Sequence, residues 1–211
     1  YALAANISGS NNVANGYKAL FTTTGSGNVA NGTQAMEKNS SGGSNTATGW
    51  QALYANTTAS FNTAMGAFAL NKNTLGADNT ATGYYSLFNL AGTAAATSDN
   101  TALGYNAGRY QSDGATALTT AKQSIYIGSG ARGLNNSDAN SIVIGYGTIG
   151  IGANTVVLGN SSIITTALKG NVGVGTTTPD AMLSVYKAAP SADEIMFKIS
   201  TSSAASAGML F

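Results

Sequence analysis

Asn45-Thr46-Ala47-Thr48-Gly49-Trp50-Gln51-Ala52-Leu53 is one copy of a phrase that recurs along a 211-residue chain. Upstream it reads Asn12-Val13-Ala14-Asn15-Gly16-Tyr17-Lys18-Ala19-Leu20, then Asn28-Val29-Ala30-Asn31-Gly32 with Ala35-Met36. Downstream come Asn62-Thr63-Ala64-Met65-Gly66 with Ala69-Leu70, Asn79-Thr80-Ala81-Thr82-Gly83-Tyr84-Tyr85-Ser86-Leu87, and Asn100-Thr101-Ala102-Leu103-Gly104-Tyr105-Asn106-Ala107. Starting at Gly16, successive phrase glycines stand 16, 17, 17, 17 and 21 residues apart. The phrase then hardens into β-branched runs: Ser124-Ile125-Tyr126-Ile127-Gly128, Ser141-Ile142-Val143-Ile144-Gly145 and Thr155-Val156-Val157-Leu158-Gly159, with glycines 17 and 14 apart. Asn171-Val172-Gly173-Val174-Gly175 reads as a last copy.

A unit of 14–17 residues cannot bury a core of its own, and it is shorter than a leucine-rich repeat or a helix pair. It suits one coil of a parallel β-solenoid or β-roll, stabilised by stacking on its neighbours. Within each phrase the side chains alternate between faces, as in a strand. One face carries Ala and Gly (Ala47, Ala64, Ala81, Ala102); the other carries Thr, Val, Ile or Leu (Thr46, Thr63, Leu103, Ile144). The small face admits close approach of another backbone and is expected at or near a subunit contact. The glycine is suited to a positive φ that turns the corner. The Ala-x-x-Ala-Leu stretches read as loops or single turns, a short helical turn being the alternative since Ala and Leu are good helix formers. Longer spacing over 84–128 implies longer loops on the same scaffold.

Composition narrows the function. Charged residues make up 8% of the chain, nine basic against eight acidic, for a net charge of +1. That field is too weak for nucleic-acid binding, which needs clustered Lys and Arg. His and Cys are absent, which removes Ser/His and Cys/His catalysis, disulfides and nearly all zinc sites. No apolar run approaches the ~20 residues that cross a bilayer as a helix, so no membrane insertion is expected. No basic segment leads into an apolar one as in a signal peptide. The opening at Tyr1 and the close at Met209-Leu210-Phe211 read as cuts through a longer protein.

The remaining chemistry is sparse. Gly173-Val174-Gly175 is followed by no helix-length stretch, so it is not a dinucleotide loop. The acids Glu37, Asp78, Asp99, Asp113, Asp138, Asp180, Asp193 and Glu194 mostly neighbour Asn, Ser or Gly, where Asp stabilises turns. A glycosidase needs two carboxylates flanking one bond, which loops or chains of an assembly would have to supply. No calcium-loop spacing occurs. The chain is therefore expected to be no enzyme, and to hold no cofactor and no metal. Thr46/Thr48 and Thr80/Thr82 are Thr-x-Thr pairs resembling ice-binding solenoids, but Asn15, Asn31, Met65 and Leu103 interrupt the series.

Tyr17, Trp50, Tyr84, Tyr105 and Tyr146 share the position after the repeat glycine. Stacked coils would align them into a ladder. They serve either as a sugar-stacking surface, with Trp50, Tyr84 and Tyr105 the candidate glycan contacts, or as packing against a neighbouring coil or chain.

The repeat grammar ends near residue 170, giving a solenoid region over 1–170 and a C-terminal β segment over 171–211. Thr176-Thr177-Thr178-Pro179-Asp180 is a turn cluster. Ala181–Tyr186, Ile195–Ile199 and Gly208–Phe211 are predicted strands.

Asn140-Ser141-Ile142-Val143-Ile144-Gly145 and Asn154-Thr155-Val156-Val157-Leu158-Gly159 resemble the head repeats of trimeric autotransporter adhesins. Gly170-Asn171-Val172-Gly173-Val174-Gly175-Thr176-Thr177-Thr178-Pro179 with Leu183-Ser184-Val185 is similar to a segment of phage tail fibres and tailspikes. Together these cover about residues 10–185, although the early copies carry Ala where the adhesin repeat has Val or Ile. The resemblance implies left-handed β-rolls packed as a homotrimer, in an extracellular fibre on a virion or cell surface that meets a cell-surface glycan or receptor. A phage-type tail fibre is the first expectation. A bacterial surface adhesin or filament subunit is the alternative, with a polysaccharide-degrading tailspike or an ice-binding solenoid further off.

Overall fold

The structure, a computed structural model, describes residues 1–185. The chain divides into two units, Tyr1–Ile163 and Ile164–Phe211. The predicted strands at Ile195–Ile199 and Gly208–Phe211, and Tyr186 at the end of a third, lie outside the described residues.

Every strand is two or three residues long. In chain order they are β1 (Ala5–Asn6), β2 (Val13–Asn15), β3 (Thr22–Thr23), β4 (Val29–Asn31), β5 (Thr46–Thr48), β6 (Thr63–Met65), β7 (Thr80–Thr82), β8 (Thr101–Leu103), β9 (Ile125–Ile127), β10 (Ile142–Ile144), β11 (Val156–Leu158), β12 (Val172–Val174) and β13 (Leu183–Val185). Nine of them, β2 and β4 to β11, form one all-parallel sheet whose spatial order is the sequence order. Each repeat thus contributes one strand and returns one rung along: a parallel β-solenoid. The register places like on like, Ala30 beside Ala47, Ala47 beside Ala64 and Ala64 beside Ala81. β1 pairs with β3 on a second, shorter sheet. In the second unit β12 pairs in parallel with β13. The helical content of the described residues is a single 3-10 turn, Ala94–Ala96, in one of the longer connections.

The alanine column Ala30, Ala47, Ala64, Ala81 and Ala102 points into the coil and is fully buried there, with Leu20, Met36, Leu53, Leu70 and Leu87 alongside. This corrects the expectation that the small face meets another subunit. The side chains are small because a coil of 16–17 residues is narrow. Its opposite wall already fills the space that a larger residue would need.

The Ala-x-x-Ala-Leu stretches are turns, not helical. Gln51 and Leu53 both have positive φ, 54° and 51°, and the pattern recurs at Lys18/Leu20, Gln34/Met36, Phe68/Leu70 and Tyr85/Leu87. A left-handed conformation costs a residue with a Cβ roughly 1–2 kcal/mol. It is held here because it aims each N–H along the solenoid axis: Gln51 donates to the Thr33 carbonyl of the preceding coil at 2.9 Å, and Leu53 to the Ala69 carbonyl of the following coil at 3.0 Å. Even the corners are thus hydrogen-bonded from coil to coil. At the corner itself Gly49 has φ +130°, and a Cβ there would stand 2.6 Å from the Gly66 carbonyl carbon, so only glycine fits.

Two ladders of buried asparagine run through the interior. In the first, each Asn from Asn28 to Asn100 uses its backbone N–H and its Nδ2 to donate to the Oδ1 of the Asn one coil before it. Ser124 and Ser141 continue the column. In the second, Asn39, Asn56 and Asn73 donate Nδ2 to carbonyls three residues ahead, and Asn56 also to Asn39 Oδ1 at 2.7 Å. Buried amides are tolerated when their bonds are made; the neighbouring coil makes those of the first ladder, and the chain's own turn makes most of those of the second.

Candidate functional site

The position after each corner glycine forms a row along one edge of the solenoid: Tyr17, Thr33, Trp50, Ala67, Tyr84, Tyr105, Ser129, Tyr146. All five aromatics in it are exposed, between 44% and 78%. Tyr84 and Tyr105, on adjacent coils, stack with centroids 5.8 Å apart and planes 6° apart. Trp50 joins them through Phe68, which lies 4.6 Å from Trp50 and 6.1 Å from Tyr84. The three candidate contacts therefore belong to one aromatic surface. Each packs partly against a ring of a neighbouring coil and remains partly exposed to solvent.

Sequence reasoning missed the second row, one residue further on. Phe68 stacks on Tyr85 at 4.8 Å, Tyr85 meets Phe88 at 4.8 Å, and the Arg109 guanidinium lies 3.8 Å over the Tyr85 ring and 4.7 Å from Tyr110. The signal was present in the alternation Lys18, Gln34, Gln51, Phe68, Tyr85. The left-handed φ of these residues is what turns them outward beside the first row.

A mixed polar edge flanks the N-terminal end. Lys18 Nζ lies 3.4 Å from Glu37, Gln34 Nε2 donates to Glu37 at 2.6 Å, and Gln51 Nε2 donates to Gln34 Oε1 at 2.9 Å. These bonds fix four side chains in a line beside Tyr17 and Trp50.

Two of the other acids, Asp113 and Asp138, accept backbone N–H groups, and Asp180 accepts the Ser184 hydroxyl at 3.0 Å. Asp113 accepts from the N–H groups of Ala115 and Thr116, at 2.9 and 2.8 Å, and from the Thr116 hydroxyl. That hydroxyl, then the two N–H groups, hold the Asp113 carboxyl below its ordinary value. Asp138 is buried and accepts from Leu134 N–H at 2.7 Å. Burial, and then the charge of Asp138, push the Tyr126 phenol well above its ordinary value. Among the described residues no three His, Cys, Asp or Glu side chains gather as a metal site, and no helix is long and apolar enough to cross a membrane.

The outward side of the nine-stranded sheet is a second surface. Two columns of side chains stand on it, Val13, Val29, Thr46, Thr63, Thr80, Thr101, Ile125, Ile142, Val156 and Asn15, Asn31, Thr48, Met65, Thr82, Leu103, Ile127, Ile144, Leu158. None is charged. From β8 onward nearly all are aliphatic, and Leu103, Val156 and Leu158 are about half exposed. Thr-x-Thr pairs occupy only β5 and β7.

No protein-family model, curated protein or solved structure matches the chain.

Proposed function

We propose that this chain is a stretch of an extracellular homotrimeric fibre of the phage tail-fibre type, which spans distance and presents a cell-surface binding region. The observation that carries the reading is the uncharged outward face of the sheet, aliphatic but for Thr101 over its last four strands, on a solenoid that has already buried its own core. A lone soluble chain has little reason to keep Leu103, Ile127, Ile144 and Leu158 in one outward column. Eighteen such side chains offer on the order of 1,000 Å² to a partner, against the ~800 Å² per side of a stable interface. Like columns on identical chains are self-complementary, and nine rungs at ~4.8 Å give a contact roughly 38 Å long. The continuous axial hydrogen bonding suits a rigid spacer.

Sedimentation equilibrium tests this directly. A mass three times 21.0 kDa is expected, falling to the monomer when Leu103 and Ile127 are both changed to Lys while β-sheet circular dichroism persists. A wild-type chain that sediments as a folded monomer at micromolar concentration refutes the assembly.

A further inference from the structure

The aromatic row is interrupted three times by a small residue, and the three gaps have different fates. At Ala67, between Trp50 and Tyr84, Phe68 fills the space from the chain itself, 4.6 Å from one ring and 6.1 Å from the other. At Thr33, between Tyr17 and Trp50, nothing fills it: Tyr17, Lys18, Thr33, Gln34 and Trp50 line an open groove. At Ser129, between Tyr105 and Tyr146, a second open groove adds Arg132 and Asn160.

We propose that the Tyr17–Trp50 gap is a saccharide slot that takes one pyranose ring between two aromatic walls, with the Tyr105–Tyr146 gap a second slot of the same construction. Walls two coils apart are separated by roughly 9.5 Å, twice the strand spacing. A ring seated between two walls needs at least roughly 7–8 Å, twice the usual carbon–carbon approach, so this gap admits one. Adjacent aromatics, such as Tyr84 and Tyr105 at 5.8 Å, leave no such room. Trp50 is braced from behind by Phe68, so its free face is the one toward Tyr17. The groove also holds a hydroxyl (Thr33), an amide (Gln34) and an ammonium (Lys18), with Glu37 bonded to both of the last two. These fixed donors and acceptors match sugar hydroxyls, and the Lys18–Glu37 pair leaves the slot with no net charge, which favours a neutral sugar. The groove is open at its ends, so the ring can belong to a longer chain. The slots are five coils apart, roughly 24 Å, within reach of one polysaccharide strand. This inference rests on the fibre reading only for its purpose, the binding of a cell-surface glycan.

Trp50 is the only tryptophan, so its fluorescence reports the first slot alone. The full chain is titrated with soluble cellohexaose, maltohexaose and chitohexaose. At least one is expected to shift Trp50 emission saturably in the micromolar-to-millimolar range, with little change between 20 mM and 500 mM salt. Thr33→Phe places in this gap the ring that Phe68 places in the next, and abolishes the shift. Tyr17→Ala removes an exposed wall without touching the core and weakens binding at least tenfold. No response to any of the three sugars, or a response undiminished in both variants, overturns the proposal. Because free oligosaccharide reads the slot in any assembly state, a monomeric chain that binds sugar would refute the trimer and leave the slot standing.

Discussion

Asn45 gives both of its coil-to-coil donors to one atom: its backbone N–H and its Nδ2 reach Asn28 Oδ1 at 3.0 and 3.1 Å. Asn62 repeats the arrangement on Asn45 Oδ1 at 2.9 and 3.2 Å. A single amide is thus the acceptor for the coil after it and a donor to the coil before it. The column does inside the solenoid what the β ladder does on its wall, and it favours Asn at the start of each repeat from Asn12 to Asn100.

Asn45→Ala should therefore break the ladder on both sides. The Asn62 backbone N–H loses its acceptor outright, its Nδ2 keeps only the Ser60 carbonyl, and the Ala59 carbonyl keeps only the bond from Asn56. Buried groups left unpaired cost ~1–3 kcal/mol each, so a loss of about 3 kcal/mol is expected in urea unfolding. Asn45→Ser should cost less, because at the column's other end the Ser124 hydroxyl takes the acceptor's place and receives the Ser141 N–H. Equal losses for Ala and Ser would mean that the bonds are not what the position needs.

The loop at Asp113 gives a pH signature. Its carboxyl is held below the ordinary 3.8 by the Thr116 hydroxyl first and then by two backbone N–H groups. A depressed folded value means that the contribution to stability is fully present above the unfolded pKa and is lost as pH falls through the folded one. The Asp113 carboxyl resonance should titrate below 3.8 and move back toward it in Thr116→Val. An unchanged midpoint in that variant would assign the shift elsewhere.

Side-chain direction separates stability from assembly. Ala64 points into the coil and Thr63 out of it. Ala64→Leu overpacks a filled interior, and costs about 1–3 kcal/mol per chain whatever the assembly state. Thr63→Leu adds apolar surface to an open face and should leave the melting temperature of a dilute chain nearly unchanged. If Ala64→Leu shifts only the association equilibrium, the alanine column belongs to a subunit contact after all.

Most of the solenoid was legible because the repeat fixes one coil per phrase, and one coil per phrase leaves little else for Asn45 to Leu53 to do. The alternating Ala47 and Thr46/Thr48 marked a strand with two unlike faces. Which face looked inward was not legible, since a small residue serves equally well in a narrow interior and in a close subunit contact. The asparagines were read as part of the phrase, but their burial was not, because Asn ordinarily prefers turns and water; only stacked identical coils make it an interior residue. In the aromatic row, Trp50, Tyr84 and Tyr105 stood out by position. Phe68 did not, because the outward turn of the second residue after glycine was not legible, and without it the contrast between Phe68 filling one gap and Gln34 leaving another open could not be drawn.

The clearest test of the inward packing is an exchange the chain has already made. Tyr126 stands in the alanine column, paired with Ala102 and fully buried. The room comes from Gly108, four residues after its corner glycine, where Leu87 stands in the preceding coil. A Cβ at Gly108 would lie 2.9 Å from Tyr126 Cδ2 and 2.6 Å from Leu87 Cδ2. Its φ of +65° lies in the same left-handed region as the +48° of Leu87, so the backbone itself would accept leucine as the column does elsewhere. Gly108→Leu should therefore destabilise by overpacking, at about 1–3 kcal/mol or more, and Tyr126→Ala by leaving a cavity, at about 3–5 kcal/mol. The two are in contact and must couple. The double variant restores the ordinary Leu and Ala columns across two adjacent coils, Leu at 108 and Ala at 126, and should melt well above the sum of the two losses. Strict additivity in a double-mutant cycle would show that the glycine and the tyrosine do not share one volume.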